Sequence, residues 1–169
     1  MKKSIAKKAC IMLVCALMLI TSSITAFAAT PYSENGMAEL IKMDLMNYTM
    51  VDGHEGENDG IVPYAQFGLS AYDLPRGTYV RTSSTYYVTA GVDRLSFTAS
   101  WNPVGNTVLI GLVNVNDPQT IYGVKCTGGA ASYVMSTSGF PNGEYYVVIA
   151  NALSNTMNLN ASGTFSWVR

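Results

Sequence analysis

The one histidine of the 169-residue chain, His54, lies in Asp52-Gly-His-Glu-Gly-Glu-Asn-Asp-Gly60, a run of glycine and acid. A serine or cysteine nucleophile needs a base within hydrogen-bond reach. His54 with Cys126 is a formal pair, but the two are far apart in sequence, and catalytic roles are set by geometry rather than by residue type. In the same run Asp52, Glu55, Glu57 and Asp59 set carboxylates near the alternation of calcium loops, with Gly60 as the turn. The twelfth position from Glu55 is Gln66, where such a loop carries a bidentate glutamate. The run therefore reads as a solvated linker, with calcium the one cofactor its carboxylates suggest. Paired-carboxylate hydrolysis has Asp73, Asp93, Asp117 and Glu144 to draw on downstream, and three of them sit beside turn signals, a common structural position. There is no phosphate-cradling glycine loop, no HExxH and no CxxC.

Binding is better supplied than catalysis. Trp101, Tyr122, Tyr133 and Trp167 are candidate platforms, since the apolar face of a sugar ring stacks on an aromatic ring while polar neighbours read its hydroxyls. Each has a competing role in the core. Leu95, Phe97 and Ala99 share a face with Trp101, and Phe165 shares one with Trp167.

The elements that must position these residues are strands. Leu95, Phe97, Ala99 and Trp101 alternate with Ser96, Thr98 and Ser100, the period of a half-buried strand. Val108 to Val115 is nearly all apolar and fits a strand covered on both faces. Further strands are expected over 120–126, 131–136, 145–150, 157–159 and 163–168, with weaker ones over 67–72 and 79–88. Asn102-Pro103, Asn116-Asp117-Pro118, Gly128-Gly129 and Pro141-Asn142-Gly143 punctuate them. About eight short strands at this spacing predict an all-β, antiparallel sandwich of jelly-roll type over 63–169.

Upstream, Lys2, Lys3, Lys7 and Lys8 precede an apolar stretch from Ala9 to Ile20 and an Ala26-Phe27-Ala28 cleavage pattern. Residues 1–29 read as a secretory signal peptide, too short in its apolar part to span a bilayer. Its removal takes Cys10 and Cys15 and leaves Cys126 without an intramolecular partner. Residues 30–62 hold seven acids and one base, a net of −6, and 63–169 hold four acids and five bases, a net of +1. The acidic arm carries Met37, Leu40, Ile41, Leu45 and Tyr48 at helical spacing, which predicts a short amphipathic helix over about 37–48. The charge offers no basic surface for nucleic acid and no cationic face for disrupting membranes.

The stretch Ser138-Gly-Phe-Pro-Asn-Gly-Glu-Tyr-Tyr-Val-Val-Ile-Ala150, followed by Leu159-Asn-Ala-Ser-Gly-Thr-Phe165, resembles the end of bacterial pre-peptidase C-terminal-type domains. Leu95–Trp101 and Val108–Asn114 are similar to the middle strands of those domains, and the likeness covers roughly 90–168. It implies a small jelly-roll module without catalytic residues that binds carbohydrate or protein. Together these readings point to a secreted, non-enzymatic sandwich that binds extracellular carbohydrate or cell-wall polymer. The alternatives are a structural or interaction protein of the cell surface or matrix and, third, a small hydrolase.

Overall fold

The computed structural model describes residues 39–56 and 66–168. The expected signal peptide lies outside the described residues, as do Glu57 and Asp59. Twelve strands are described: β1 (Glu39–Asp44), β2 (Thr49–Met50), β3 (His54–Gly56), β4 (Gln66–Leu74), β5 (Thr78–Arg81), β6 (Tyr86–Val88), β7 (Arg94–Asn102), β8 (Val108–Asn114), β9 (Asp117–Cys126), β10 (Ala130–Ser136), β11 (Gly143–Asn151) and β12 (Leu159–Val168). They form a seven-stranded sheet, ordered β1-β9-β8-β11-β5-β2 with β6 also on β11, and a five-stranded sheet, ordered β10-β7-β12-β4-β3. The fold is an all-β sandwich. Among the described residues no helix is long and apolar enough to cross a membrane.

The alternation read in the sequence becomes the main core. Leu95, Phe97 and Trp101 of β7, Phe165 of β12 and Phe67 and Leu69 of β4 face Val108, Ile110, Leu112, Val124, Val147 and Ile149 of the other sheet. Stacked rings, Phe67–Phe165 at 5.5 Å and Phe67–Tyr86 at 4.8 Å between centroids, fill one end of it. Each such ring removes about 150–250 Å² from water. The residues expected as two closing segments form one strand, β12, and the weak 79–88 segment divides at Thr82. There the Thr82 hydroxyl accepts from the Val147 amide (3.1 Å) and donates to the Ser84 carbonyl (2.8 Å), interrupting the edge between β5 and β6.

The expected helix over about 37–48 is corrected by the structure. Residues 39–44 form β1, antiparallel to β9, with Asp44 opposite Thr120. The apolar residues fit both periods, and the edge of β9 decides between them. Ile41, Met43 and Leu45 alternate onto a second apolar cluster with Leu109, Val113, Ile121, Val148 and Ala150, while Lys42 and Asp44 lie on the opposite side of the strand and are exposed. An isolated helix of that length is marginal in water, whereas a strand edge supplies hydrogen bonds and a surface together. The second cluster also accounts for the continuous burial of β8, whose seven residues are all buried.

Chain reach then dictates the shape of this sheet. Asp44 is paired at one edge and Thr49 at the other, opposite Thr78. Five strand spacings in a flat sheet amount to about 24 Å. The five Cα steps from 44 to 49 reach at most about 17 Å. A turn in which the Tyr48 amide donates to the Leu45 carbonyl (2.8 Å) shortens them further. The seven-stranded sheet is therefore curled around the second cluster, with Leu45–Tyr48 as its clasp. From there the chain crosses to the other sheet past Gly53, where a Cβ would lie 2.8 Å from that of Val80.

Candidate functional site

The curl and the clasp lie on the outer face of the seven-stranded sheet, and among the described residues no element packs over the outer face of the five-stranded sheet. On that face the polar phases of β7 and β12 carry the same pattern, Ser96-x-Thr98-x-Ser100 and Ser162-x-Thr164-x-Ser166. The antiparallel register sets Ser96 opposite Ser166, Thr98 opposite Thr164 and Ser100 opposite Ser162. Ser132 of β10 extends the grid on one side, opposite Thr98, and Ser70 of β4 extends it on the other, opposite Ser162. The hydroxyls thus lie on a lattice of about 4.8 Å across strands and about 6.8 Å along them. Neighbours touch: Thr98 and Ser132 oxygens are 3.2 Å apart, and those of Ser100 and Ser162 are 3.5 Å apart.

The two ends of the face differ. At one end Gln66, Ser96, Thr98, Thr164 and Ser166 line a shallow cavity of about 300 Å³. At the other stands Tyr72, 73% exposed. Its presentation comes from a bulge: Asp73 takes φ = 53°, and the β4–β12 register shifts between Leu159 and Ala161. The left-handed region is tolerated by aspartate, and two amides hold the residue there. The Asp73 N–H donates to Asn160 Oδ1 (2.7 Å), and Asn158 Nδ2 donates to Asp73 Oδ1 (2.9 Å). Bulges of this kind re-aim side chains. Along β4, β7, β10 and β12 the only charged groups on this face are Arg94 and Asp73, at its ends. Hydroxyls and amides both donate and accept, so the face can pair with a neutral polyhydroxyl surface without first shedding a tightly held hydration shell.

The residues expected as platforms lie elsewhere, and two of them require correction. Trp101 is buried in the main core, with its indole N–H donating to the Asn106 carbonyl (2.9 Å). Tyr122 is buried too, its ring 4.9 Å from that of Phe140, with the Lys42 ammonium 5.5 Å from its centroid. Both point inward because the alternation of their strands puts them in phase with Phe97 and Val124. Tyr133 and Trp167 are half-buried at the margin of the same core, beside Phe97 (6.2 Å) and Tyr86 (5.7 Å) respectively. The Trp167 indole nitrogen is buried without a hydrogen-bond partner among the described residues. The four are not brought together on one surface.

Of the acidic run, Asp52 is exposed and shares a cleft of about 270 Å³ with Met50, Val51, Gly53, Arg81, Thr82 and Ser83. Arg81 lines that cleft, and its guanidinium lies 3.9 Å from the Tyr146 ring centroid, a cation–π contact. Glu55 is on β3, opposite Leu69. Among the described residues no three metal-ligating groups converge. Calcium takes six to eight oxygens, and Asp52 and Glu55 alone do not make that set. Cys126 is in the main core, and burial pushes its thiol up to about 11, so it has almost no thiolate at neutral pH.

Sequence reasoning passed over Tyr72 and the two hydroxyl rows. The signal was present in the repeated Ser-x-Thr-x-Ser pattern. What made it meaningful was the register that sets the two copies side by side.

No family model matches the chain, and no curated protein matches it. Solved structures resemble it in fold. A carbohydrate-binding module, CBM36, solved with calcium and xylotriose, is 13% identical with a TM-score of 0.40, over 74% of this chain and 98% of that one. The CBM36-1 domain of a multidomain xylanase from the hindgut metagenome of Trinervitermes trinervoides is 12% identical with a TM-score of 0.40, over 76% and 96%. A family two carbohydrate esterase from Cellvibrio japonicus is 12% identical with a TM-score of 0.30, over 77% of this chain and 33% of that one.

Proposed function

We propose that this protein is a secreted, non-catalytic module that binds a neutral extracellular polysaccharide across the outer face of its five-stranded sheet. The observation that carries this reading is the pair of facing Ser-x-Thr-x-Ser rows ending at an exposed tyrosine. A protein-binding surface has an apolar, aromatic centre with a polar rim. This face has the reverse arrangement, a hydroxyl centre with one aromatic ring at its end. Tyr72 supplies a stacking surface for a sugar ring, and the rows supply donors and acceptors along a strip. The resemblance of the 90–168 region to pre-peptidase C-terminal-type domains supports a role without catalysis, and the leader read in residues 1–29 supports secretion. Calcium enters this reading only through the 52–59 run, away from the hydroxyl rows in sequence.

The test is a saturation pull-down on insoluble glycans and purified cell walls. Thr98→Val with Thr164→Val removes two hydroxyls and keeps both side-chain shapes. At about 1 kcal/mol for each lost hydrogen bond, affinity falls roughly 30-fold while the melting temperature stays within a few degrees. Tyr72→Ala weakens binding about fivefold or more, the loss of one aromatic contact of about 1 kcal/mol. Saturable binding that ignores both changes, or no binding to any glycan, overturns the proposal.

A further inference from the structure

The five-stranded sheet has two edges, and one of them is unguarded. β3 is three residues long, whereas β10 at the opposite edge runs seven, Ala130-Ala-Ser-Tyr-Val-Met-Ser136. Natural edge strands are blunted by charge, proline, bulges or shortness, because their free amides and carbonyls template pairing with another chain. β10 has no charged residue, no proline and an unbroken register with β7.

The side of β10 that is open follows from one bond. The Trp101 amide donates to the Gly129 carbonyl at 2.8 Å. In the register that sets Ala130 opposite Ser100, Gly129 and Trp101 are a hydrogen-bonded pair. Such pairs recur every second residue, so Ala131, Tyr133 and Met135 turn their amides and carbonyls toward β7. Ala130, Ser132, Val134 and Ser136 turn theirs outward. Among the described residues no strand pairs with that side.

We propose that β10 is the docking edge for a second copy of this protein, joined antiparallel about a two-fold axis through Tyr133. With Tyr133 facing its own copy, Ser132 lies opposite the partner's Val134, and Ala130 lies opposite the partner's Ser136. These four outward-facing positions are then hydrogen-bonded pairs, each exchanging two backbone bonds. A two-fold axis brings every charge close to it against a like charge, and the absence of charge from β10 is what allows a copy of itself to pair there. The half-buried Tyr133 rings meet over the joined cores, an aromatic pair across the new strand boundary. With the axis perpendicular to the sheet, both hydroxyl faces fall on the same side of one continuous sheet. Ser132, already 3.2 Å from Thr98, sits at the seam between them. A doubled face on one side suits a repeating polymer, since the second contact is then intramolecular. The pairing itself stands whether or not the ligand is a glycan.

Sedimentation velocity of the purified protein across a concentration series tests this directly, without any ligand. The wild type is expected to pass from monomer to dimer. Val134→Pro deletes an outward amide and leaves the ladder to β7 intact, because proline is tolerated where its missing N–H faced solvent. Ser132→Lys places like charges near the axis. Each is expected to weaken the dimer about tenfold or more with an unchanged monomer fold, and either variant suffices if the other fails to fold. Tyr133→Cys tests the register: a non-hydrogen-bonded pair brings Cα atoms to about 4.5 Å, within disulfide reach, so oxidation should cross-link it. Ala131→Cys, set opposite the partner's Met135, should not cross-link. A wild type that stays monomeric at every concentration, a dimer indifferent to both edge substitutions, or cross-linking of Ala131→Cys instead of Tyr133→Cys overturns the proposal.

Discussion

Leu45→Ala separates a segment that is part of the fold from a dispensable acidic arm. Leu45 is 4% exposed and packs in the second cluster with Leu109, Val113, Ile121, Val148 and Ala150. Its backbone is anchored independently of its side chain. The amide donates to the Gln119 carbonyl at 2.6 Å, and its own carbonyl accepts from Tyr48. Alanine keeps those bonds and removes only the buried carbons. Buried Leu→Ala changes cost about 2–5 kcal/mol, depending on how far the site collapses. The cluster is small and lies under a clasp that can settle inward, so a value in the lower half, about 3 kcal/mol, is expected. That is a large share of the roughly 5–15 kcal/mol that holds a domain together. It should lower the melting temperature by about 10 °C for a domain of this size. Urea unfolding by tryptophan fluorescence reads it as a lower midpoint with an unchanged m-value. Leu45→Met, which nearly conserves volume, should cost less than about 1.5 kcal/mol. If Leu45→Ala costs under about 0.5 kcal/mol, the clasp does not hold the sheet, and residues 39–50 are an appendage after all.

Other outcomes follow from the core. Asn151 is fully buried, and its amide donates to the Leu74 carbonyl (2.8 Å) and the Met157 carbonyl (3.1 Å) while its oxygen accepts from Asn155. Met157 keeps a second donor in Asn106, so Asn151→Ala removes chiefly the buried bond to Leu74 and should cost about 1–3 kcal/mol in denaturant unfolding. Trp101→Phe loses the bond to Asn106 and about 1 kcal/mol of stability, yet glycan pull-down should be unaffected; a tenfold loss of binding would make Trp101 a contact residue. The Cys126 thiol, raised by burial from 9.0 to about 11, should resist alkylation at pH 8 until the protein unfolds. Because the unfolded thiol ionises first, the stability this group contributes is full below pH 9 and is lost as pH rises towards about 11, a decline that Cys126→Ala should reduce in pH-dependent unfolding.

The strands whose apolar phase faces a single core were legible in the sequence. Leu95–Trp101 gave β7 to within a residue at each end, and the apolar run from Val108 gave β8. Period-two alternation is a local property, imposed by one buried face, and it can be read without knowing what covers that face. Residues 39–50 were not legible in this way. Ile41 and Leu45 fit both periods, and the choice depended on an edge of β9 that is about eighty residues downstream. The same limit governs the site. Trp101 and Tyr122 have the chemistry of a sugar platform, but each strand's phase turns them inward.

The sequence by itself determined the strand class, the turns between strands and the two Ser-x-Thr-x-Ser patterns, all of which depend on residue types and short spacings. Tertiary structure alone decided that the two patterns face each other as one lattice, that a bulge at Asp73 presents Tyr72 at its end, and that the acidic segment closes a curled sheet. These are pairings between residues far apart in the chain. Register sets them, and register is chosen by the burial of whole faces rather than by any local preference.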